Sequence, residues 1–226
     1  MIIESLPEHL APGAFVRFRY RVSKLIYESI SGLIVRAGSW QEELFGSLAP
    51  KAGERILDFG RGNASTSISL ALRYPEAKVV AMESSCEAAR RVRSKVIRRR
   101  IRNLSVVVAP PHGPLPFQAD SFDKVVCRLG LHDLAPNEKL AILKEIARVI
   151  RRGRTFHVAD FDKAESPGEG SLLELASRIS GPVAVAAHVD GSWTEFLVKA
   201  GFASVRRRSS HSIGFGRISV VKARKR

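Results

Sequence analysis

Cysteine is scarce in this chain: Cys86 and Cys127 are the two found in 226 residues. Two dispersed thiols supply neither a disulfide framework nor a CxxC pair, so a stapled extracellular scaffold and a zinc ribbon are both excluded. A reduced, cytoplasmic setting is the expectation. No apolar run approaches the roughly 20 residues needed to cross a bilayer. Met1-Ile-Ile-Glu-Ser-Leu-Pro-Glu8 lacks the basic start and apolar stretch of a secretory leader. An HExxH helix and an acidic calcium loop are missing, and no metal site is expected. The Gly-x-x-x-x-Gly-Lys-Ser/Thr phosphate loop and the Gly-x-Ser-x-Gly nucleophile turn are missing too. Internal repeats are absent. Acidic residues are in short supply, 22 against 37 Lys and Arg, which leaves a net charge of +15. Such an excess suits contact with RNA, DNA or another anionic surface. It equally suits a charge-rich thermophile surface, since Asn, Gln, Cys and Met are sparse while Arg is abundant.

What is present begins with helical patterning. Over residues 1–50, Leu25, Ile26, Ile30, Leu33 and Ile34 recur at helical spacing, and Trp40, Leu44, Phe45 and Leu48 continue it up to Pro50. From residue 51 strands and helices alternate. Strands are predicted at 55–58, 79–83, 104–108, 123–127 and 155–160, and helices at about 65–73, 86–98 and 138–151. Such repetition implies a parallel sheet covered on both faces, with a ligand at the carboxyl ends of its strands. Asp58, Glu83, the 109–112 segment and Arg128 to His132 all fall at such ends. Residues 161–192 interrupt the alternation with a polar loop, a short helix at 172–179 and the small apolar run Ser180-Gly-Pro-Val-Ala-Val-Ala-Ala-His188. That run suits an apolar pocket wall, with His188 as a structural residue. A strand pair, 204–212 and 216–222, closes the chain.

The segment Arg55-Ile-Leu-Asp-Phe-Gly-Arg-Gly-Asn-Ala-Ser65 is the opening of a nucleotide-binding βαβ unit: a strand, a Gly-x-Gly turn and a helix N-terminus. Gly60 and Gly62 let a ligand approach bare backbone, and the helix start offers free N–H groups to its anionic part. Glu83, twenty-three residues beyond Gly60, is placed to accept hydrogen bonds from two ribose hydroxyls. Ser65 stands where a dinucleotide fingerprint has its third glycine. Asp58 before the turn suits an ammonium better than a pyrophosphate.

These residues resemble the class I S-adenosylmethionine-dependent methyltransferases, in particular the ubiquinone/menaquinone C-methyltransferase (methyltransferase type 11) branch. Ile56-Leu-Asp-Phe-Gly-Arg-Gly62 is similar to that family's first motif and Val79-Val-Ala-Met-Glu83 to its ribose-binding strand end. Leu115-Pro-Phe-Gln-Ala-Asp-Ser-Phe-Asp123 with Lys-Val-Val-Cys127 is similar to its LPF…SFD segment and fourth strand. Leu131-His-Asp-Leu134, Glu145 to Gly153 and Trp193 to Phe202 are similar to later landmarks. The resemblance spans about residues 40–222. It implies a three-layer, Rossmann-like α/β fold with seven mostly parallel strands, helices on both faces and the last strand inserted antiparallel. Residues 1–50 would be a helical cap, 51–226 the methyltransferase domain and 161–192 a substrate-cap insertion. S-adenosylmethionine would be the cofactor and a small molecule the methyl acceptor. The cofactor-binding candidates are Asp58, Phe59, Gly60, Arg61, Gly62, Glu83, Ser84, Pro111, His112 and Arg128. Tyr20 and Tyr27 are candidates for the wall contributed by the cap.

The chain departs from the family pattern in two places. Ala64 replaces a third glycine, and Ala109-Pro-Pro-His112 replaces the Asp that usually follows the third strand near the adenine. His132 is the candidate catalytic residue, as a base or as pocket lining near the transferred methyl. Its alternative is a capping loop in which Asp133 caps the next helix. Seven Arg and one Lys between Arg90 and Arg102 make either a solvated helix face or an RNA contact. The tail Lys222-Ala-Arg-Lys-Arg226 is basic in the same way, or a frayed end. Two alternatives to the small-molecule enzyme stay open: an RNA methyltransferase and a non-catalytic module of the same fold. An Asp/Asn-Pro-Pro-Tyr/Phe segment is absent, as is the cysteine set of arsenite-methylating relatives.

Overall fold

A computed structural model describes residues 39–60, 65–110, 113–166 and 168–226. The helical expectation for residues 1–38, with Tyr20 and Tyr27, lies outside them. Helix α1 (Ser39–Leu48) buries the expected stripe Trp40, Leu44, Phe45 and Leu48. Then follow β1 (Arg55–Phe59), α2 (Ser65–Arg73), β2 (Lys78–Glu83), α3 (Cys86–Arg98), β3 (Leu104–Val108), β4 (Phe122–Arg128), α4 (Pro136–Val149) and β5 (Ile150–Phe161). The chain continues through α5 (Ser171–Ser180), α6 (Pro182–Asp190), a 3-10 turn (Ser192–Thr194), α7 (Glu195–Lys199), β6 (Phe202–Ser212) and β7 (Arg217–Lys225).

The seven strands form one sheet in the order β3-β2-β1-β4-β5-β7-β6. Pairs among β1 to β5 are parallel, and β7 runs antiparallel between β5 and β6. Successive side chains of a strand point to opposite faces. Leu57, Phe59, Val125 and Cys127 therefore join one core with Phe156, Leu143 of α4 and Trp193. Ile56, Val79, Ala81 and Val126 join the other with α1, α2 and α5. Burial on both faces is why these strands read as near-continuous apolar runs. The strand order reverses between β1 and β4, so the crevice above their carboxyl ends is the place where such folds take ligands.

Three elements differ from the sequence reading. Strand β5 starts at Ile150, directly at the end of α4, because residues 151–154 bulge between the Phe122–Ile150 and Lys124–Thr155 pairs. Ion pairs hold the bulge: Arg151 Nη1 lies 2.9 Å from Asp123 Oδ2, and Arg154 Nη1 lies 2.9 Å from Glu54 Oε1. The run 182–190 is a helix, α6, with Pro182 in its first turn, where a proline fits. The basic tail does not fray, since β7 extends to Lys225, whose Nζ donates to Asp120 Oδ1 at 2.8 Å and Ile150 O at 2.6 Å.

Glu54 joins the turn after α1, β4 and the bulge. Its buried carboxylate accepts from Lys51 N at 2.8 Å and pairs with Lys124 Nζ at 2.8 Å and Arg154 Nη1 at 2.9 Å. Burial opposes ionisation, but Lys124, the Lys51 N–H and Arg154 outweigh it and hold the group below its ordinary 4.5. A depressed acid stabilises the fold fully above the unfolded value and loses that contribution as pH falls through the folded one. Glu54→Gln is expected to cost about 1–3 kcal/mol at neutral pH in urea unfolding. The gap between variant and parent should close on acidification below 4.5.

Candidate active site

Strand β1 delivers Asp58 to the carboxyl edge of the sheet and then turns at Gly60. Asp58 is buried and accepts a hydrogen bond from the Ser67 hydroxyl of α2. Burial raises its pKa, against the pull of Ser67 and of the Arg128 guanidinium. Arg128 ends β4, and its Nη2 donates to Ser65 Oγ at 2.6 Å, which ties β4 to the first turn of α2. Phe59 faces the core, fully buried.

Glu83 ends the adjacent strand β2 and is 1% exposed. Its pKa rises to about 7, chiefly through burial and then through the charge of Asp58, with Arg91 and Lys95 pulling the other way. Among the described residues no hydrogen-bond donor offsets that rise. A Cβ built on Gly60 would stand 3.7 Å from Met82 O and 3.8 Å from Asp58 Oδ1. The glycine therefore leaves open the space over both strand ends, without any left-handed backbone. Ser84 is exposed, and it is Ser85 that caps α3, accepting from Ala88 N at 3.1 Å. Arg61, Gly62, Ala64, Pro111 and His112 lie outside the described residues.

Farther along the same edge, His132 follows β4 and is buried. Its Nδ1 lies 2.7 Å from Oδ1 of Asp160, near the end of β5. The carboxylate faces Nδ1 and thereby fixes the orientation of the ring. Asp160 also accepts from Leu131 N at 2.7 Å and Phe161 N at 2.8 Å. Burial opposes its ionisation, yet His132, His188 and the Leu131 N–H hold it well below the usual carboxylate range. Asp133 does not cap α4. The helix begins at Pro136 after Ala135, whose N–H donates to Glu138 Oε2 at 3.0 Å. Helix α6 brings His188 within 6.2 Å of the His132 ring, and Lys139 of α4 is buried nearby, donating to Ala184 O at 3.2 Å.

Asp160 and Lys139 escaped the sequence reading. Asp160 carried a usable signal, because it ends a predicted strand as Asp58 and Glu83 do. Lys139 carried none, since a lysine in an amphipathic helix reads as solvated. Among the described residues no His, Cys, Asp or Glu cluster suits a metal, and no helix is long and apolar enough to cross a membrane.

A mostly parallel sheet with its crevice at a strand-order reversal, edged by buried carboxylates, belongs to the Rossmann-like class of nucleoside-cofactor folds. The family model described as "Methyltransferase domain" matches residues 56–153. A demethylmenaquinone methyltransferase of Clavibacter sepedonicus is 30% identical over 75% of this chain and 74% of its own length. A ubiquinone/menaquinone biosynthesis C-methyltransferase of Syntrophotalea carbinolica is 26% identical over 62% of this chain, which spans 57% of that protein. Among solved structures, a SAM-dependent methyltransferase from Aquifex aeolicus superposes with a TM-score of 0.60 at 21% identity, covering 81% of this chain and 88% of its own. The chain belongs to the class I S-adenosylmethionine-dependent methyltransferases.

The residues present fit that cofactor. S-adenosylmethionine carries an ammonium and two ribose hydroxyls, all donors, and this edge holds two buried carboxylates raised above their ordinary pKa values. Gly60→Ala is expected to fold normally and to weaken S-adenosylhomocysteine binding by about tenfold in calorimetric titration, the cost of roughly one crowded hydrogen bond. Affinity should also fall as pH drops below about 7, because binding calls for the ionised form of Glu83. A raised acid has the opposite effect on folding: ionising it costs stability as pH rises from 4.5 towards 7. Glu83→Gln should therefore raise the melting temperature of the free protein at alkaline pH while abolishing the pH dependence of binding.

Proposed function

We propose that this protein transfers the methyl group of S-adenosylmethionine to a small-molecule acceptor by in-line displacement. One observation carries the reading: buried carboxylates stand at the ends of the neighbouring strands β1 and β2, and a third, near the end of β5, orients a histidine. In this reading Asp58 and the Gly60–Gly62 turn hold the methionine end, with Arg128 beside Asp58 facing its carboxylate. Glu83 holds the ribose, and the 109–112 segment borders the adenine.

The bound cofactor supplies a methyl group on a sulfonium, an electrophile for which alignment provides most of the acceleration. The chain's own part is to place the acceptor and to receive its proton. His132 takes the proton released when the acceptor atom gains the methyl group, and Asp160 holds the ring and offsets the charge that forms. The products are the methylated acceptor, S-adenosylhomocysteine and a proton. A small acceptor suits the buried position of His132, and both curated relatives carry quinone-type substrates in their names. Helices α5 and α6 would form the cap over this acceptor.

A second reading makes the acceptor RNA. Arg90, Arg91, Arg93, Arg98, Arg99, Arg100 and Arg102 are exposed along and after α3, beside an Ile97 that is 75% exposed. A steep salt dependence of RNA binding that flattens when these arginines are neutralised supports it. Negligible RNA affinity at low salt removes it.

The principal test begins with calorimetric titration of S-adenosylmethionine and S-adenosylhomocysteine, where absence of binding at millimolar concentration overturns the proposal. With an acceptor in hand, transfer of labelled methyl should fall by about 10²–10⁴ in His132→Ala, while S-adenosylhomocysteine affinity stays at the parent level.

A further inference from the structure

His188 sits on α6 with no exposed surface. Its imidazole stacks on Trp193, ring centres 5.2 Å apart and planes inclined by 11°. Nδ1 lies 2.6 Å from the carbonyl oxygen of Phe161. A carbonyl only accepts, so Nδ1 carries the ring proton. Burial holds the pKa down to about 3 against the pull of Asp160 and the Phe161 carbonyl, and the charge of Lys139 acts in the same direction as burial. The ring is neutral, and Nε2 is left with a lone pair and no hydrogen. That nitrogen is buried and has no hydrogen-bond partner among the described residues. Folded proteins rarely keep a buried acceptor in that condition unless something else occupies the site.

The surroundings narrow what would satisfy it. A lone pair calls for a donor, which excludes a carboxylate or another acceptor. A cation would meet the Lys139 ammonium, whose Nζ is held 3.2 Å from Ala184 O on the same helix as His188, while the opposing Asp160 carboxylate is already engaged by His132 and two backbone N–H groups. Aromatic rings make up part of the surroundings. Phe161 lies edge-on to His132 at 4.8 Å, and the Trp193 face covers His188 itself. A neutral hydroxyl on an apolar frame meets all three conditions. Resting on the methyltransferase reading above, we propose that His188 Nε2 is the hydrogen-bond acceptor for a neutral hydroxyl of the methyl acceptor. It positions that compound beside His132 and selects hydroxylated acceptors over their ethers.

The two ring nitrogens can be tested separately. Asparagine reproduces the Nδ1–H donor to Phe161 but has nothing at the Nε2 position, whereas glutamine reaches the Nε2 position. Protein labelled with 15N-histidine, saturated with S-adenosylhomocysteine, would be titrated with phenol and, separately, with anisole, and the His188 resonances followed by long-range 1H–15N correlation. The expected result is a proton on Nδ1, none on Nε2, and a saturable shift of Nε2 with phenol but not with anisole. His188→Asn should weaken phenol binding by about tenfold, the loss of one good hydrogen bond, with His188→Gln in between. S-adenosylhomocysteine affinity should be unchanged in both. A protonated Nε2, equal shifts with phenol and anisole, or parental phenol affinity in His188→Asn would overturn the proposal. If either variant fails to fold, the titration of the parent protein decides. Failure of S-adenosylhomocysteine to bind would instead remove the methyltransferase reading, and the phenol titration of the free protein would still report on Nε2.

Discussion

A carboxylate taken out of water must be met by donors, and the end of β5 is one place where this molecule meets that demand. Asp160 receives the backbone N–H groups of Leu131 and Phe161 and the Nδ1–H of His132. The loop after β4 is thereby tied to β5, and His132 is fixed in one orientation. Phe161, the next residue, offers its carbonyl to His188, so the same strand end also anchors α6. One residue further, Asp162 accepts from Trp193 Nε1 at 3.1 Å and pairs with Arg207 Nη2 at 2.7 Å. Three consecutive residues at and just beyond the end of one strand thus set the positions of the loop, the helical insertion and the edge strand β6.

Comparison of Asp160 with Glu83 separates a finished polar site from an open one. Both carboxylates are buried at strand ends. Asp160, with its donors in place, is held below the usual range, while Glu83, with Asp58 for a neighbour, is raised to about 7. Equal burial with opposite outcomes means that the donors, not depth, decide the charge state. The β1–β2 end is the one that calls for a ligand with hydroxyl or ammonium groups. Stability is given up there as Glu83 ionises, because the free protein is better off with it neutral.

The excess of basic residues divides in a similar way. Arg148 clasps Leu115 O at 3.0 Å and Phe117 O at 2.8 Å and pairs with Glu145, holding the approach to β4. Arg217 grips buried Glu169 through Nε at 2.9 Å, and Lys225 ends three carbonyl and carboxylate contacts. These cations are part of the fold. The arginines of α3 and of β6 at 206 and 208 stand exposed, and they are among the basic residues open to solvent, ions or a polyanion.

Local pattern was enough for much of this. The apolar runs of β1 to β4 and the helical stripes between them are set by neighbours a few residues apart, so the parallel sheet and the strand-end positions of Asp58, Glu83 and Arg128 were legible in the sequence. Helix α6 was not, because a run of small apolar residues shows no amphipathic stripe. The 151–154 bulge was not, because it is stabilised by Glu54 and Asp123, which are distant in sequence. By itself the sequence determined a Rossmann-like methyltransferase and which acidic residues end its strands. Only the tertiary structure decided that His132 belongs to Asp160, and that His188 keeps a lone pair on Nε2. Both pairings span more than two dozen residues, and they depend on strand register and on where a helix docks, neither of which is encoded in local spacing.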